Sequence, residues 1–401
     1  MDTVYETLQY AISHDMIDLS SMQQKVEMKK REYYLSLHPN NIWQGKNGKW
    51  YTHLDDSNRT LKKKNSREEI EDSVCEFYKN LEEEPTLKEV YIDWIDCKLK
   101  STEICQGTYD RYENDYKRFF VGSDIEKRKI RSIMDDELEM FIKESIVKNE
   151  LSQKGYAGLR TLILGIFKHA KKKKCTDISI SYFMKDLELP KKIFNKKIKN
   201  KEDQVYLEDE IVKATEYLKS NPTIENLGLL LTFQTGIRVG ELAALKYSDR
   251  NNHNRLRIQR MEIKYKDELS RTCVHDIVEF TKSDAGYRNL YLTDSAIETL
   301  EIARRKNPFG EYLFEKDGKR ILTGTYNDSL ARMCKAIGIK TKSMHKIRRS
   351  YGTTLIDNDC DDSVVMEQMG HADITTTRKF YYYSNKNSET KMEQINNAIT
   401  Y

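Results

Sequence analysis

Proline is almost absent from this chain, and its scarcity limits what the chain can fold into. Only 5 of the 401 residues are proline, whereas Lys and Arg together number 68 and Asp and Glu number 64. Proline breaks helices while Lys and Glu favour them, so this balance predicts a mainly helical protein. Apolar residues make up 38% of the chain and charged residues 33%, and 401 residues exceed what one core usually holds. We therefore expect two or three domains in which polar helices surround small separate cores.

Two of the prolines mark predicted domain boundaries. Pro85 follows the acidic run 82–84, and Pro190 precedes a basic stretch that meets no acidic residue before Glu202. The predicted segments are, in order, residues 1–84, 85–190, 191–203 (a basic linker) and 204–401. A basic run of this kind is either a solvated connector or, between two DNA-contacting domains, a track for phosphates. Its candidate DNA-binding residues are Lys192, Lys196 and Lys197.

Charge, hydropathy and cysteine patterns exclude several classes of protein. The net charge of +4 excludes a histone-like polycation but not a nucleic-acid binder, because charge can be gathered locally. No apolar run approaches the ~20 residues of a membrane span, and the first residues lack the shape of a signal peptide. The seven cysteines include no C-x-x-C pair and are odd in number, so neither a zinc site nor a disulfide framework is expected. We expect a cytoplasmic protein with reduced cysteines.

The N-terminal segment predicts a helix, a three-stranded sheet and a second helix. A helical stretch ends before Pro39, and residues 42–54 place a Gly-Lys-Asn-Gly turn between aromatic and β-branched residues, which is typical of a β-hairpin. A third strand is predicted near 60–64, and Ser66 with Glu69 predicts a capping box for the next helix. Such a sheet suits insertion into a DNA major groove, and a small structural or protein-binding module explains it equally well. The candidate DNA-binding residues are Lys46, Lys49, Lys62, Lys63 and Lys64.

The middle segment predicts helices, one of which ends in a dense basic run. Apolar residues recur every three or four positions over 156–167, so this stretch predicts a helix with one buried face. The helix continues into a run from Lys168 to Lys174. Cations at a helix C-terminus favour the helix dipole, but five lysines within seven residues exceed that need and favour a phosphate contact. The candidate DNA-binding residues here are Lys171, Lys172 and Lys173.

The third segment mixes helices with one cluster of strands. Helical patterns cover 207–218 and 226–233, and helix is predicted again from residue 294 onward. Between about 255 and 292, alternating apolar and polar residues predict a short antiparallel sheet.

Four short motifs in this segment carry residues suited to phosphate chemistry. They contain Arg238 with Glu241, Lys282, His345 with Arg348, and Gly370 with His371. The two pairs that are three residues apart share a helix face, and a tyrosine cluster follows His371 by about ten residues. Each motif alone is more typical of a surface ion pair, a solvated turn or a helix end.

In this order the motifs resemble the catalytic set of the tyrosine recombinases, the phage- and conjugative-transposon-type integrases. The first segment is similar to their arm-site DNA-binding domain, including its Ile42-to-Tyr51 stretch. The second is similar to their helical, SAM-like core-binding domain, and the third to their mixed α+β catalytic domain. The resemblance implies a multidomain, mainly α fold with small antiparallel β-sheets. The catalytic residues that it implies are Arg238, Lys282, His345, Arg348, His371 and Tyr381.

The resemblance also implies a mechanism that needs no metal, ATP or other cofactor. A tyrosine attacks a DNA phosphodiester and forms a 3′-phosphotyrosyl ester, which conserves the bond energy. Arg238 and Arg348 would clamp the phosphate, because guanidinium groups donate bidentately and stabilise the charge that develops, and Glu241 would support this clamp.

Proton transfer falls to the remaining implied residues. His345 and His371 would hydrogen-bond the phosphate and help the nucleophile lose its proton, since a phenol with a pKa of ~10 is protonated at neutral pH. Lys282 would protonate the leaving 5′-hydroxyl.

The nucleophile is assigned by its distance from the Gly-His motif. Family members place the tyrosine nine or ten residues after that histidine, and here these positions are Phe380 and Tyr381. We assign Tyr381, because residues 376–381 fit the family form in which the second of two aromatic residues is catalytic. Neighbouring helix positions differ by ~100°, so Tyr382 and Tyr383 do not share its direction. If position nine is the reactive one, Phe380 removes the hydroxyl and the chain binds DNA without cutting it.

The leading hypothesis is therefore a site-specific integrase of a bacterial mobile element. The alternatives are a non-catalytic DNA-binding or regulatory protein with a degenerate active site and a type IB topoisomerase. Two separate DNA-binding modules favour recombination between distant sites. The implied partners are double-stranded DNA with core and arm sites, a tetramer of the chain on DNA, and accessory excision proteins.

The C-terminal tail carries a narrow apolar stripe. Met392, Ile395 and Ile399 lie at helical spacing between residues 388 and 401. The stripe packs either on its own domain or on a neighbouring protomer, and we favour docking in trans because tails of this family commonly do so.

Overall fold

Helices carry most of the chain, as the scarcity of proline predicts. The computed structural model describes residues 10, 14, 18–56, 59–196, 200, 202–251, 254–267, 270, 272–281, 284–373 and 383–399. The chain divides into one unit of residues 1–103 and 112–195 and another of residues 104–111 and 196–401. A mainly helical fold with small antiparallel sheets is thus confirmed. Apart from residues 104–111, the first unit contains both predicted N-terminal segments, so their division near residue 85 stays a prediction.

The first unit begins with the predicted helix, sheet and helix. Helix α1 (Leu19–Ser36) is followed by three antiparallel strands and by helix α2 (Arg67–Glu83). The strands lie in the order β1 (Trp43–Gln44), β2 (Trp50–His53) and β3 (Leu61–Lys64). Helices α1 and α2 and strands β2 and β3 pack together, and Leu54, Val74 and Tyr78 form a small buried core.

The first turn of α2 shows how the sequence sets this element. The Ser66 hydroxyl accepts the N–H of Glu69 at 3.2 Å, as predicted. The Glu69 carboxylate accepts the N–H of Asn65 at 3.0 Å, one residue before the expected donor. The predicted cap is therefore present, and its return hydrogen bond is displaced by one residue.

The rest of the first unit is helical, as predicted for the middle segment. The helices are α3 (Leu87–Lys100), α4 (Gln106–Phe119), which crosses into the second unit, α5 (Asp124–Lys127), α6 (Asp135–Lys148), α7 (Gln153–Lys172) and α8 (Ile180–Asp186). Helix α7 buries the predicted apolar face from Leu159 to Phe167. It lies so close to α3 that a Cβ on Gly165 would be 2.1 Å from a ring carbon of Trp94. Only glycine fits that approach.

The second unit is built around a helix that is buried on nearly every side, α10 (Ile224–Thr235). Its other helices are α9 (Glu208–Ser220), α11 (Val239–Leu242), α12 (Asp294–Lys306), α13 (Thr323–Ala336), α14 (Met344–Asp357), α15 (Asp362–Met369) and α16 (Ser388–Ala398). Helices α9, α12, α13 and α14 pack around α10. One apolar core runs through these helices and includes Leu231, Leu300 and Ile347.

The strands of the second unit differ from the predicted single sheet. Strand β4 (Arg255–Ile258) pairs with β7 (Arg288–Tyr291), and β5 (Met261–Lys266) pairs with β6 (Cys273–Val278), so two separate antiparallel ladders form. A short hairpin of β8 (Glu315–Lys316) and β9 (Lys319–Arg320) lies where helix was predicted. Its turn is Asp317-Gly318 with φ of 52° and 71°, and Asp-Gly is favoured there because both positions need positive φ.

Two properties of the described residues bear on function. None of their helices is long and apolar enough to cross a membrane. Nor does this part of the chain hold a group of three or more His, Cys, Asp or Glu side chains able to bind a metal ion.

Candidate active site

Arg238 is placed by a tight turn at the end of α10. Gly236 ends that helix with φ of 64°, and a Cβ there would lie 2.4 Å from the ring of Tyr351. The turn brings Arg238 to the start of the short helix α11. Its Nη1 donates to Oε1 of Glu241 at 2.7 Å, and its backbone N–H donates to the other carboxylate oxygen at 3.1 Å. The i,i+3 pair expected from the sequence is present, and Glu241 is buried.

Glu241 is shared between two arginines, one of which sequence reasoning missed. Arg288, on β7, donates from Nη1 and Nη2 to the two Glu241 oxygens at 3.1 and 2.8 Å. Burial alone raises the pKa of Glu241, but the positive charges of Arg288, Arg238 and Arg348 outweigh it and lower this pKa to about 2. The carboxylate is therefore ionised at neutral pH.

Arg348 is the most enclosed of the predicted catalytic residues that the structure describes. It lies on α14 and is 1% exposed. Its Nη1 donates to the carbonyl oxygen of Gly236 at 2.7 Å, and its Nη2 donates to that of Met369. One guanidinium group thus joins the end of α10, where the Arg238 turn begins, to the end of α15, where the Gly-His motif begins.

His371 completes the described cluster. Gly370 ends α15 with φ of 57°, and the next residue turns its imidazole toward Arg348, whose Nη2 lies 3.3 Å from Nε2. Burial, and then the charges of Arg348, Arg238, Arg288 and His345, lower the pKa of His371 to about 4. The imidazole is thus neutral at pH 7, and Nε2 can accept a hydrogen bond. His345 is exposed near the start of α14.

The low pKa of His371 gives a testable pH dependence. Unfolded His titrates near ~6.5, so between that pH and about 4 the unfolded chain binds a proton that the folded chain does not. We expect the free energy of unfolding to fall as pH drops through this window, and the His371 ring signals in NMR spectra to titrate near pH 4. His371→Gln should lack this part of the pH dependence. Titration of His371 near pH 6.5 would contradict the described environment.

Two implied catalytic residues, Lys282 and Tyr381, lie outside the described residues, as does Phe380. The described residues nearest to these gaps are Thr281 and Asp284 around the lysine, and Asp373 and Tyr383 around the tyrosine. Thr281 is buried directly before the lysine. Beyond the tyrosine segment, Asn385 is 3% exposed, donates to Oγ1 of Thr354 at 3.0 Å and accepts the N–H of Glu208 at 2.9 Å. Just beyond the tyrosine segment, the chain is therefore anchored by Asn385 on α14 and α9 of the same protomer.

The predicted DNA-binding lysines of the first unit fall into two groups by their position in the sheet. Lys62 pairs with Thr52, which is fully buried, so that face of the sheet is turned inward. Lys63 pairs with Tyr51 on the opposite face, and its Nζ lies 6.0 Å from the ring centroid of Tyr51. Trp43 stacks on Tyr51 at 5.9 Å, which gives this face an aromatic surface beside a cation.

The other lysines occupy different settings. Lys64 lies on the same face as Lys62, and Lys46 and Lys49 lie in the β1–β2 turn. At the end of α7, Lys173 pairs with Asp93 and Lys171 donates to the carbonyl oxygen of Asp177. Lys172, Lys192 and Lys196 are exposed, and Lys197 lies outside the described residues.

The burial of Arg288 was only weakly indicated by the sequence. In β7, alternate residues point inward, so Arg288 and Leu290 are both buried while Tyr291 is exposed. An arginine in phase with buried leucines marks a buried charge that needs a carboxylate partner. That partner, Glu241, lies 47 positions away in sequence and could not be identified without the fold.

Comparisons with known proteins identify similar chains and similar folds. Residues 201–388 match the model of the phage integrase family. A XerC-like tyrosine recombinase of Caldanaerobacter subterraneus is 24% identical over 69% of this chain and 73% of its own length. The XerD tyrosine recombinase of Oceanobacillus iheyensis is 27% identical over 43% of this chain, a match that spans only 55% of that relative.

Solved structures give the same fold. The Tn1549 transposon integrase in complex with a circular intermediate DNA superposes with a TM-score of 0.60 and 14% identity, covering 78% of this chain and 99% of that one. A lambda integrase dimer bound to a core site gives a TM-score of 0.50 and 16% identity, covering 86% and 95%. Residues 201–388 therefore form a phage integrase family domain, and the chain is similar to tyrosine-type site-specific recombinases.

Proposed function

We propose that the chain is the integrase of a mobile genetic element, which cuts and rejoins DNA at specific sites through a 3′-phosphotyrosyl ester. The observation that carries this proposal is the cluster of Arg238, Arg288 and Arg348 around one ionised carboxylate, Glu241. Three guanidinium groups facing one carboxylate leave an excess of two positive charges. Such a cluster suits a phosphodiester, whose charge grows on its non-bridging oxygens as it is attacked.

The proposed chemistry uses this chain's own side chains. The Tyr381 oxygen attacks phosphorus, which forms the phosphotyrosyl bond and breaks the bond to the 5′-oxygen. The phenol proton passes to His345 or to the neutral imidazole of His371, and Lys282 gives a proton to the leaving 5′-oxygen. Attack by the 5′-hydroxyl of the partner strand reverses these steps, so rejoining needs no ATP or metal.

The arginines differ in what they can offer the phosphate. Arg348 and Arg288 are nearly fully buried and are held by carbonyl oxygens and by Glu241, respectively. Arg238 keeps 29% of its side chain exposed. We propose that Arg238 and Arg348 contact the phosphate and that Glu241 fixes the orientation of Arg238.

The first unit supports a role at two kinds of DNA site. Its sheet carries a cation and stacked aromatic rings on one face, a combination that suits DNA contact. We propose that this sheet binds arm sites while the helical segment and the second unit bind core sites. Double-stranded DNA, further copies of the chain in a tetramer, and accessory excision proteins are the proposed partners, with the nucleoid in the cytoplasm as the place of action.

The C-terminal helix is the proposed contact between protomers. Helix α16 starts three residues after the buried Asn385, and Met392, Ile395 and Ile399 are 57%, 51% and 51% exposed. An apolar stripe this open on its own protomer is available to a neighbour. We propose that it docks in trans when the protein assembles on DNA.

Covalent trapping tests the proposed function. Nicked duplexes tiled across the DNA on either side of the gene serve as suicide substrates, because loss of a short fragment after cleavage prevents rejoining. The purified chain is expected to form an adduct with at least one duplex that resists denaturant. Absence of any adduct, with DNA binding retained, would instead support a non-catalytic DNA-binding protein.

Lys63 gives a test of the arm-site proposal. Lys63→Ala should weaken binding of the full chain to the unnicked tiled duplexes and lower the slope of log Kd against log salt by about 1, since one phosphate contact is lost. Lys62→Ala is the matched control, because Lys62 lies on the inward face and should leave the slope nearly unchanged. Fluorescence anisotropy at several salt concentrations measures both. Equal effects of the two substitutions would contradict binding through the exposed face.

A further inference from the structure

Arg288 contacts more of the catalytic framework than any role in the proposed chemistry requires. Its side chain is 3% exposed. Besides its two bonds to Glu241, its Nε donates to the carbonyl oxygen of Gln368 at 3.0 Å, and its Nη1 donates to that of Gly286 at 2.9 Å. The guanidinium group therefore holds one carboxylate and two backbone carbonyls.

Each of these partners belongs to a segment that carries a different catalytic group. Glu241 orients Arg238. Gln368 lies three residues before His371, and Gly286 lies four residues after Lys282. One side chain thus contacts Glu241, the segment just before the Gly-His motif and residues 284–286, which follow Lys282 in sequence.

The packing around Gly370 shows how closely two of these segments meet. A Cβ on Gly370 would lie 2.8 Å from the carbonyl oxygen of Ala285 and 3.0 Å from the Arg288 side chain. The turn after Lys282 and the end of α15 therefore touch at a glycine, with Arg288 beside the contact. A shift of Arg288 would move both segments.

We propose that Arg288 is a positioning residue that holds residues 284–286, which follow Lys282, and the His371 segment in register with the Arg238–Glu241 pair, so that acid and clamp act on one phosphate. This inference rests on the proposed function. Arginine suits the role because its planar fork offers several donors in fixed directions, whereas lysine supplies the charge without that geometry. Arg288 also binds both Glu241 oxygens and so neutralises part of the carboxylate charge. The attraction between Glu241 and Arg238 is therefore weaker, and Arg238 can also bind the phosphate.

Arg288→Lys tests the geometry while it keeps the charge. In single-turnover cleavage of the nicked duplexes, we expect a rate loss on the order of 10²-fold, as for a displaced catalytic group, with the Kd for DNA unchanged. Arg260→Lys is the matched control, because Arg260 is also buried and donates to a buried carboxylate, Asp249, at 2.7 and 2.9 Å. It should lower the thermal midpoint as much as Arg288→Lys does, without slowing cleavage. Equal slowing by both variants, or wild-type cleavage by Arg288→Lys, would overturn the proposal.

A second measurement requires no DNA and separates this proposal from the proposed function. Hydrogen exchange of the amide groups in residues 284–288 should be faster in Arg288→Lys than in the unchanged chain, and unaffected in Arg260→Lys. Unaltered exchange would overturn the positioning role even if the chain cuts DNA. If Arg288→Lys does not fold, the double variant Glu241→Gln with Arg288→Met removes the buried pair together. The exchange measurement then decides, because loss of Glu241 by itself alters the orientation of Arg238. A chain that forms no adduct at all refutes the proposed function, while the exchange result still decides the role of Arg288.

Discussion

Tyr381→Phe is expected to abolish the covalent adduct, with a loss of roughly 10⁴-fold or more in cleavage rate, because it removes the atom that bonds to phosphorus. DNA affinity should stay unchanged, since a phenol hydroxyl adds little to a contact dominated by phosphates. Tyr381 follows the Gly-His histidine by ten residues and ends the Thr-Thr-x-x-aromatic-Tyr pattern. The assay is the nicked-duplex trap, followed by mass spectrometry of the adducted peptide.

The neighbouring aromatic residues provide the controls for this assignment. Tyr382→Phe and Tyr383→Phe should each leave the adduct intact, because neither residue stands at the tyrosine position of the Thr-Thr-x-x-aromatic-Tyr pattern. An adduct that survives Tyr381→Phe would refute the assignment. If the unchanged chain forms no adduct, Phe380→Tyr tests the alternative spacing: cleavage gained by that substitution would mean that the chain binds DNA without cutting it.

Local rules predicted most of the helices and the first sheet. Ser66 begins α2 as expected, because an N-cap depends only on residues within one turn of it. The apolar face of α7 was also found, because spacing of three and four residues is a property of one element alone. The Asp317-Gly318 hairpin was missed although its signal is local, because the helical pattern around it dominated the prediction.

The contacts of the candidate site also fall into local ones, which could be predicted, and long-range ones, which could not. The Arg238–Glu241 pair was predicted because its partners are three residues apart. The contacts of Arg348 with Gly236 and Met369 span 112 and 21 positions, and those of Arg288 with Glu241 span 47, so only the folded chain shows them. Motif order indicated the proposed clamp arginines, whereas nothing in that order pointed to Arg288 in strand β7, which the structure places beside Glu241.

Strand geometry explains why the lysines of β3 lie on two different faces of the sheet. Lys62, Lys63 and Lys64 are equivalent in a count of basic residues, but alternate side chains of a strand point to opposite faces. The register of β3 with β2 places Lys63 beside Tyr51 and Lys62 beside the buried Thr52. Which face is buried depends on where α2 packs, and this was not available from the basic run itself.

Arg348→Lys should lower the cleavage rate on the order of 10²–10³-fold, the loss expected when a preorganised donor to a developing anion is removed. Arg348 is buried, and its Nη1 and Nη2 hold the carbonyl oxygens of Gly236 and Met369. A lysine keeps one positive charge but cannot reach both carbonyls and a phosphate with a single ammonium group. If the new lysine ammonium turned away from His371, that imidazole would lose a neighbouring positive charge. The pKa of His371 would then rise from about 4.

The matched control lies at the next position of the same helix. Arg349 donates to Gln204 at 3.0 Å and lies 5.5 Å from the ring centroid of Tyr383, whereas Arg348 donates to Gly236 and Met369, so Arg349→Lys should slow cleavage far less while it alters the same helix. Single-turnover rates and Kd values for both variants, together with their thermal midpoints, distinguish a chemical loss from a folding loss. If Arg348→Lys and the unchanged chain cleave at equal rates, Arg348 does not contribute to binding the phosphate. Of the described clamp arginines, Arg238 would then be the one that contacts it.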